Sequence, residues 1–599
     1  MRSIDSVLKA FGARVLGGIA SAGIVLAAGQ AHAGEPDELD KLLDEEGKSG
    51  SLGGWADKLA ERPQTFPYFE HHGYFRFRAD FFHNGHLGTV IPGDAKSGTS
   101  GIPAPLTENA INNEDSDVSA QVGTENAKVI SSANIRLRYS PTLHISESLR
   151  VKTTLDIFDN LVLGSTPDFA GNLGRPDVPL VAFAQSAATP SDGSNGFRDS
   201  IRVKEAYGEF QPAFLVRVGR QSSNWGLGIL ANGGTRQGEV DVDADYGDYT
   251  DRALLLFKLY GIYIAGAWDY MYSGATTDDP NQPFGQAKDL GSADDVNQYV
   301  LSIFQRPLSD KEKAQRRVDT YERFKPSFDW GVYTVFRQQD FDLDSVAYKT
   351  WREQGGAKNY SDLGLVTRGA WALIPDLWLR YEQRFDFFSG LRVELEVASI
   401  FGGIDNVNNE LGGAESARDI QQIGAALEIQ YDLNQLSTGL DAGFATGDSA
   451  EGFGVLDRNT LSEQSGAPNK KVTAFKFDRD YRLDLLLFRE VIGTVTNAVY
   501  IKPWVSYDFF DSPEDVLGVR LDLLYAQALV PAATPGNEAF LGFETDLRLY
   551  FHNKAGFMLD VEAGLLIPGG ALNYRPVDNT NNRDASLAFT LQGRLTAKF

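Results

Sequence analysis

The sequence predicts an all-β protein: a transmembrane, antiparallel, up-and-down β-barrel of about 18 strands, within a range of about 16 to 20. Three observations support this fold class. The chain opens with a segment typical of exported proteins, its candidate strands alternate apolar residues with charged ones, and the connections between them alternate between short and long. A barrel in an outer membrane shows all three, since its outer face meets lipid and its lumen meets water.

The N-terminal residues have the three parts of a secretory signal. Basic residues come first, a short run of small and apolar residues follows, and an Ala-His-Ala site ends at Ala33. This order predicts a signal peptide over residues 1–33, cleaved after Ala33. An uncleaved anchor is the alternative, but the apolar run is short for the ~20 residues that span a bilayer. Residues 34–68 are acidic and predict a flexible periplasmic segment, and residues 69–599 are predicted to form the barrel.

The composition argues against several classes of function. A net charge of −25 makes the chain a poor partner for nucleic acids, which would be repelled. With no cysteine among 599 residues, there is no disulfide framework and no thiolate metal site. An enzyme is not expected, because the sequence contains no G-x-S-x-G motif and no Ser–His or Asp–His arrangement is evident from it.

The first strand shows the alternation on which the barrel prediction rests. Within residues 73–82, Phe75 and Phe77 point to one face, and Arg76 and Arg78 point to the other. Burying such charges in a soluble core would cost several kcal/mol for each unpaired ion, whereas a wet lumen costs little. The same split recurs in residues 133–139, 149–157, 391–398, 543–551 and 557–565. The polar faces are therefore predicted to point inward and the apolar faces toward lipid.

Eighteen strands follow from this alternation and from the short connections, which are assigned to the periplasm. In chain order they are residues 73–82, 129–139, 149–158, 201–210, 215–224, 252–259, 262–272, 296–305, 327–340, 365–383, 391–401, 419–431, 437–446, 497–510, 517–530, 539–552, 557–567 and 585–599. Residues 365–390 leave a further hairpin open. Residues 306–326 predict a short helix, and residues 475–498 predict a segment folded into the lumen with a short helix, or alternatively another strand pair.

The candidate lumen residues fall into a basic set from early strands and an acidic set from later ones. The basic set is Arg76, Arg78, Arg136, Arg138, Arg150, Lys152, Arg202 and Arg217. The acidic set is Glu394, Glu396, Glu544, Asp546, Asp560 and Glu562. One interpretation is a transverse field that orients polar solutes. The other is lateral pairing between neighbouring strands.

One long connection is rich in aspartates. These are Asp241, Asp243, Asp245, Asp248 and Asp251, and alternate carboxylates suit a hard cation such as Ca²⁺. The spacing is not that of an EF-hand, and a solvated acidic loop is the alternative interpretation. Calcium is the one cofactor that the sequence suggests.

The last strand alternates cleanly and ends on an aromatic residue. Leu595, Ala597 and Phe599 lie on its apolar face, and this ending resembles the assembly signal that the barrel-assembly machinery of Gram-negative bacteria reads. Residues 203–228, 536–551 and 565–572 resemble porins of the alginate-export type, or an uncharacterised family of similar barrels. The resemblance implies a bacterial outer-membrane location, with membrane lipids and lipopolysaccharide as neighbours.

These observations lead us to expect a porin-like channel for the passive passage of small polar or anionic solutes. The alternative is a non-conducting structural or surface-interaction barrel with acidic, cation-binding loops.

Overall fold

The computed structural model describes residues 65–89, 128–163, 166–167, 187–188, 201–236, 239–240, 242–272, 292–344, 364–407, 417–449, 453, 470–512, 515–575 and 582–599. The predicted signal peptide and residues 34–64 of the predicted periplasmic segment lie outside these residues.

Eighteen strands form the wall of the barrel. They are β1 (Tyr68–His83), β2 (Val129–His144), β3 (Leu149–Val162), β4 (Arg202–Phe210), β5 (Leu215–Ser222), β6 (Tyr249–Leu259), β7 (Ile262–Tyr272), β8 (Val296–Gln305), β9 (Ser327–Leu343), β10 (Leu365–Arg384), β11 (Ser389–Ile404), β12 (Arg418–Leu433), β13 (Leu436–Ala445), β14 (Ala498–Asp511), β15 (Asp515–Ala528), β16 (Phe540–Asn553), β17 (Phe557–Pro568) and β18 (Ala588–Lys598). Three further pairings involve two-residue strands in the connections: Thr166–Pro167 with Ala187–Ala188, Thr235–Arg236 with Glu239–Val240, and Lys471–Val472 with β12.

The sheet closes on itself. Each wall strand pairs antiparallel with the next, and β1 pairs with β18 from Tyr74 opposite Lys598 to His83 opposite Phe589. Every second connection is a tight turn, except that a helix lies between β8 and β9. The predicted fold class and strand number are confirmed. Residues 365–384 form one long strand and not a hairpin, and the first strand begins at Tyr68, earlier than predicted.

The burial pattern is the reverse of that of a soluble protein. On β16, Glu544 is fully buried, whereas its strand neighbours Leu547 and Leu549 are 42% and 49% exposed. Many large apolar residues of the other wall strands, such as Leu255, are exposed in the same way, and many of their charged residues, such as Asp329, are buried. Apolar groups on the outside and polar groups inside are what lipid around a closed barrel requires, so the chain is a transmembrane β-barrel.

A short helix, α1 (Asp310–Arg317), lies between β8 and β9, where the sequence predicts one. Ser309 caps its first turn, and a π-helical turn over Val318–Glu322 follows. Glu312 accepts hydrogen bonds from Tyr263 and Lys258 and from the Leu308 and Ser309 amides. Burial alone would raise the pKa of Glu312, but these hydrogen bonds lower it to about 2. No helix of the described residues is long and apolar enough to cross a membrane.

Candidate functional site in the barrel lumen

Two connections fold into the lumen. We call the described residues 223–236, 239–240 and 242–248, between β5 and β6, the first inner segment, and residues 473–497, between β13 and β14, the second inner segment. Both carry buried apolar side chains, among them Ile229 and Leu486, which are fully covered. Apolar side chains of this kind are poor surface residues, and the lumen gives them a place to pack.

The first inner segment crosses the lumen from wall to wall. At one end Trp225 stacks on Tyr333 at 5.1 Å and donates a 3.1 Å hydrogen bond to Asp376 of β10. At the other end the carbonyl oxygen of Val242 accepts a 2.8 Å hydrogen bond from Arg76 of β1. Since β1 and β10 lie opposite each other in a ring of eighteen strands, this segment divides the lumen.

The second inner segment packs against the wall formed by β12 to β17. Its π-helical turn, Leu487–Ile492, is buried, and Phe477 makes an edge contact with Tyr500 of β14. Glu544 of β16 accepts hydrogen bonds from three successive backbone amides, those of Leu485, Leu486 and Leu487, at 3.0, 2.8 and 2.8 Å. The predicted inward fold with a short helix is what the structure has.

The two inner segments also contact each other. The Asp478 amide donates to the Ile229 carbonyl at 2.8 Å, and the Tyr246 amide donates to Asp480 at 2.8 Å. Burial raises the pKa of Asp478 to about 8, and the charge of Asp248 adds to the rise. The segments therefore form one body inside the barrel, joined by backbone hydrogen bonds, buried acids and a shared apolar cluster.

Among the described residues, two sizeable charge-lined cavities lie beside the inner segments. The first, of about 340 Å³, lies near the tight turn after β16 and is called the short-turn cavity. It is lined by Arg482, Lys502, Arg520, Arg548, Arg594 and Lys598 and by Asp243, Asp484, Asp522, Asp546, Asp560 and Glu562. The second, of about 210 Å³, lies nearer the long connections and is called the long-loop cavity. Its charged lining is Arg78, Arg479, Arg489, Arg594, Asp80, Asp245 and Glu490.

A cluster of ion pairs lies where the cavities meet. Asp243 of the first inner segment is 2.8 Å from Arg482 of the second, 2.9 Å from Arg594 of β18 and 3.1 Å from Arg78 of β1. Arg594 lines both cavities. Burial alone would raise the pKa of Asp243, but the guanidiniums around it, Arg594 first, hold it well below the usual range.

The predicted basic residues all lie at carboxylates. Arg76 and Arg136 are fully buried beneath the first inner segment, and Arg136 lies 2.6 Å from Asp245. Arg78 pairs with Asp80 of its own strand and with Asp243 and Asp245 of the first inner segment. Each of the other basic residues pairs with a carboxylate on a neighbouring strand or connection. These pairs are Arg138–Asp156, Arg150–Glu209, Lys152–Glu205, Arg202–Asp159 and Arg217–Glu209. Lateral pairing and the inner segment thus occupy the groups that the sequence suggested as an open basic wall.

Some of the predicted acidic residues hold the inner segments to the wall, and others line the short-turn cavity. Glu396 accepts a 3.0 Å hydrogen bond from the Gly228 amide, so it holds the first inner segment as Glu544 holds the second. Glu394 accepts from Trp378 at 2.9 Å. The remaining three line the short-turn cavity: Asp546, Asp560 and Glu562.

The predicted calcium residues do not converge. Asp241 lies outside the described residues. Asp243 and Asp245 face guanidiniums, Asp251 pairs with Arg220 at 2.9 Å, and Asp248 accepts from the Asn232 amide at 3.3 Å. Among the described residues there is no group of three or more His, Cys, Asp or Glu side chains that could hold a metal ion. The calcium hypothesis gains no support from the described residues and stays a prediction.

Sequence analysis does not single out two of the residues at the meeting point of the cavities, Arg482 and Arg594. Arg482 lies in the apolar connection that was expected to fold inward, but no spacing indicates its partner. Arg594 belongs to the polar face of the last strand, and that alternation signals an inward side chain. Trp225 and Ile229 are apolar residues in a long connection, and the same feature predicts the inward fold of residues 475–498.

No protein-family model matches this sequence, and no curated protein matches it. Solved structures do resemble the barrel. OccK11 (OpdR) of Pseudomonas aeruginosa has 10% identity and a TM-score of 0.42, over 88% of this chain and 96% of that one. A BenF-like porin from Pseudomonas fluorescens Pf-5 has 9% identity and a TM-score of 0.40, over 88% and 99%. OccAB3 of Acinetobacter baumannii has 9% identity and a TM-score of 0.42, over 88% and 100%.

These TM-scores are below 0.5, so the likeness by itself assigns no function. A functional proposal therefore rests on the geometry of this chain. The comparisons give no support to the resemblance to alginate-export porins, which stays a prediction.

Proposed function

We propose that this chain is a porin of the Gram-negative outer membrane that passes small polar or anionic solutes by diffusion. The observation that carries the proposal is the pair of charge-lined cavities in series inside a closed barrel with an apolar outer surface. Such a lining replaces the hydration of a polar solute and offers nothing to an apolar one. The proposal includes no enzymatic activity.

The size and charge of the cavities limit the solute. The two cavities beside the inner segments have volumes of about 340 and 210 Å³, which suit small molecules. The short-turn cavity has six basic and six acidic side chains in its lining, and the long-loop cavity has four basic and three acidic ones. A mixed lining favours solutes that carry charge or several polar groups.

Assembly and surroundings belong to the same proposal. Phe599 is 59% exposed at the end of the barrel, and its backbone pairs with Gly73 at 2.9 and 3.0 Å. An accessible terminal aromatic on the closing strand is what recognition by the assembly machinery would need. Lipid tails would cover the apolar strand faces, with lipopolysaccharide on the side of the long connections.

Conductance in planar bilayers tests the function. Purified, folded barrel should produce stepwise ion conductance if the charge-lined cavities form the route for ions. A barrel that is folded, as judged by its heat-modifiable mobility, and that stays silent even in variants that widen the lumen would favour the non-conducting alternative. Liposome swelling with a small sugar and with a small carboxylate would then separate polar from anionic solutes.

A further inference from the structure

We infer that Asp243 closes the route between the two cavities by occupying an anion site of the pore, and that an anionic solute passes by replacing its carboxylate on the surrounding guanidiniums. This inference rests on the proposed porin function and names how its narrowest point works. It turns the aspartate-rich connection from a candidate cation site into the internal ligand of an anion site.

The location of Asp243 is the first argument. Its side chain is only 3% exposed, and it lines the short-turn cavity. Arg594, which holds it at 2.9 Å, lines both cavities, and Arg78, which holds it at 3.1 Å, lines the other one. The carboxylate and its partners therefore stand between the two spaces, and a solute that moves from one to the other meets them.

The register of the barrel wall is the second argument. Arg78 and Arg594 are direct partners across the β1–β18 pair, so two like charges stand side by side. Like charges placed directly opposite each other destabilise a sheet unless an anion lies between them. Asp80 and Asp243 supply that anion here, and Asp80 belongs to the wall. Of these two carboxylates, Asp243 belongs to the first inner segment, which is separate from the wall.

Buried donors give a third argument. Arg78 Nε and Arg594 Nη1 make no hydrogen bond with the described residues, although Asp80 oxygens lie 3.3 and 3.5 Å away. Arg594 Nη1 also lies 3.5 Å from a Glu562 oxygen, again without a hydrogen bond. A buried N–H group that lacks an acceptor is costly, and an additional oxygen ligand would satisfy it. The site therefore has more donors than its carboxylates use.

The energetics favour exchange over simple opening. Withdrawing Asp243 alone would leave buried guanidiniums without a counter-charge, which is strongly unfavourable. When an incoming anion takes its place, the guanidiniums keep a counter-charge, and the displaced carboxylate faces the short-turn cavity, whose lining carries further basic side chains. An uncharged solute offers no such exchange, so the site selects for negative charge although the whole chain carries −25.

The substitution Asp243→Asn tests the inference in planar bilayers with potassium chloride as the probe. It should raise single-channel conductance roughly twofold or more and move the reversal potential toward that of chloride, because the site loses its internal anion. Asp251→Asn is the matched control, since it makes the same charge change at a half-exposed position that pairs with Arg220 and lines neither cavity. It should behave as the wild type.

The outcomes separate this inference from the proposed function. A conducting wild type and a conducting Asp243→Asn with equal conductance and reversal potential would overturn the inference and leave the porin function standing. A silent wild type with a conducting Asp243→Asn would support closure by Asp243. Silence of both folded proteins would overturn the porin function itself.

A single cysteine gives a second test if Asp243→Asn assembles poorly. The chain has no cysteine, so Asp243→Cys would carry the only thiol. A bulky thiol reagent should abolish most of its current, while the wild type is unaffected by the same reagent. Persistent full current after complete modification would place residue 243 off the route.

Discussion

Two buried glutamates hold the inner segments to the wall of the barrel. Glu396 accepts a hydrogen bond from the Gly228 amide, and Glu544 accepts one from each of the Leu485, Leu486 and Leu487 amides. These amides lie where water is scarce, so they need an acceptor. The shape of the lumen therefore depends on individual wall carboxylates, which sequence analysis assigned to the lining.

Removal of one of these carboxylates should free its segment. Glu544→Ala leaves three buried amides without an acceptor, and each costs about 1–3 kcal/mol, so the packing of the second inner segment should weaken by roughly 3 kcal/mol or more. Trypsin should then cut after Arg482 or Arg489 in the intact barrel. Asp386→Ala is the control, because Asp386 also accepts from two backbone amides, but in an exposed turn. Equal resistance of Glu544→Ala and wild type would show that the segment does not depend on Glu544.

The partners of single side chains are the part that the sequence could not supply. Arg76 and Arg136 were correctly predicted to face inward, since alternation along a strand reveals the face. Their partner, Asp245, is more than one hundred residues away, and only the closed barrel brings it near. Alternation along a strand therefore predicts which face a side chain points to, but its ion-pair partner is set by the closed barrel.

Strands and inner segments differ in how readily their sequences reveal them. All eighteen strands were predicted because lipid outside and water inside impose a strict alternation. The second inner segment was predicted from its leucines. The sequence does not predict the first inner segment, because glycines interrupt its apolar residues. The aspartates that follow suggest a calcium site or a solvated acidic loop instead.

The strand register predicts where charge is tolerated. Leu547 lies in the middle of β16 and faces outward, so Leu547→Arg should destabilise the barrel by roughly 2–4 kcal/mol. Phe557→Arg, at the first residue of β17, should cost only about 0–1 kcal/mol because it lies near the membrane surface. Urea titration of both variants in lipid vesicles measures the difference. Equal costs would mean that the outward face of β16 does not meet lipid.

At the scale of the whole molecule, the barrel depends on one closing pair. β1 and β18 come from opposite ends of the described barrel, and their pairing is completed by hydrogen bonds between Gly73 and Phe599. A Cβ at Gly73 would lie 2.4 Å from the Arg138 carbonyl oxygen and 2.7 Å from the Phe599 ring. The absence of a side chain at Gly73 therefore allows β1, β2 and β18 to pack closely around the Phe599 ring.

Gly73→Val should therefore impair closure. We expect a loss of roughly 1–3 kcal/mol, because the added side chain must displace a backbone carbonyl or the Phe599 ring. The measurement is the temperature at which the folded band disappears in heat-modifiable gel mobility. Gly208→Val is the control, since nothing lies within 4 Å of a Cβ at that strand glycine. Identical transitions for the two variants would argue against tight packing at the closing pair.

For the anion site inferred at Asp243, the closing pair also fixes when discrimination between ions could begin during biogenesis. Arg78 is on the first strand to be synthesised and Arg594 on the last, and the two become neighbours only when the seam between these strands is sealed. Before that moment Asp243 has an incomplete set of partners. An inserted but unsealed barrel would therefore leak without preference for the sign of the ion, and selectivity would arise in the same step that completes the wall.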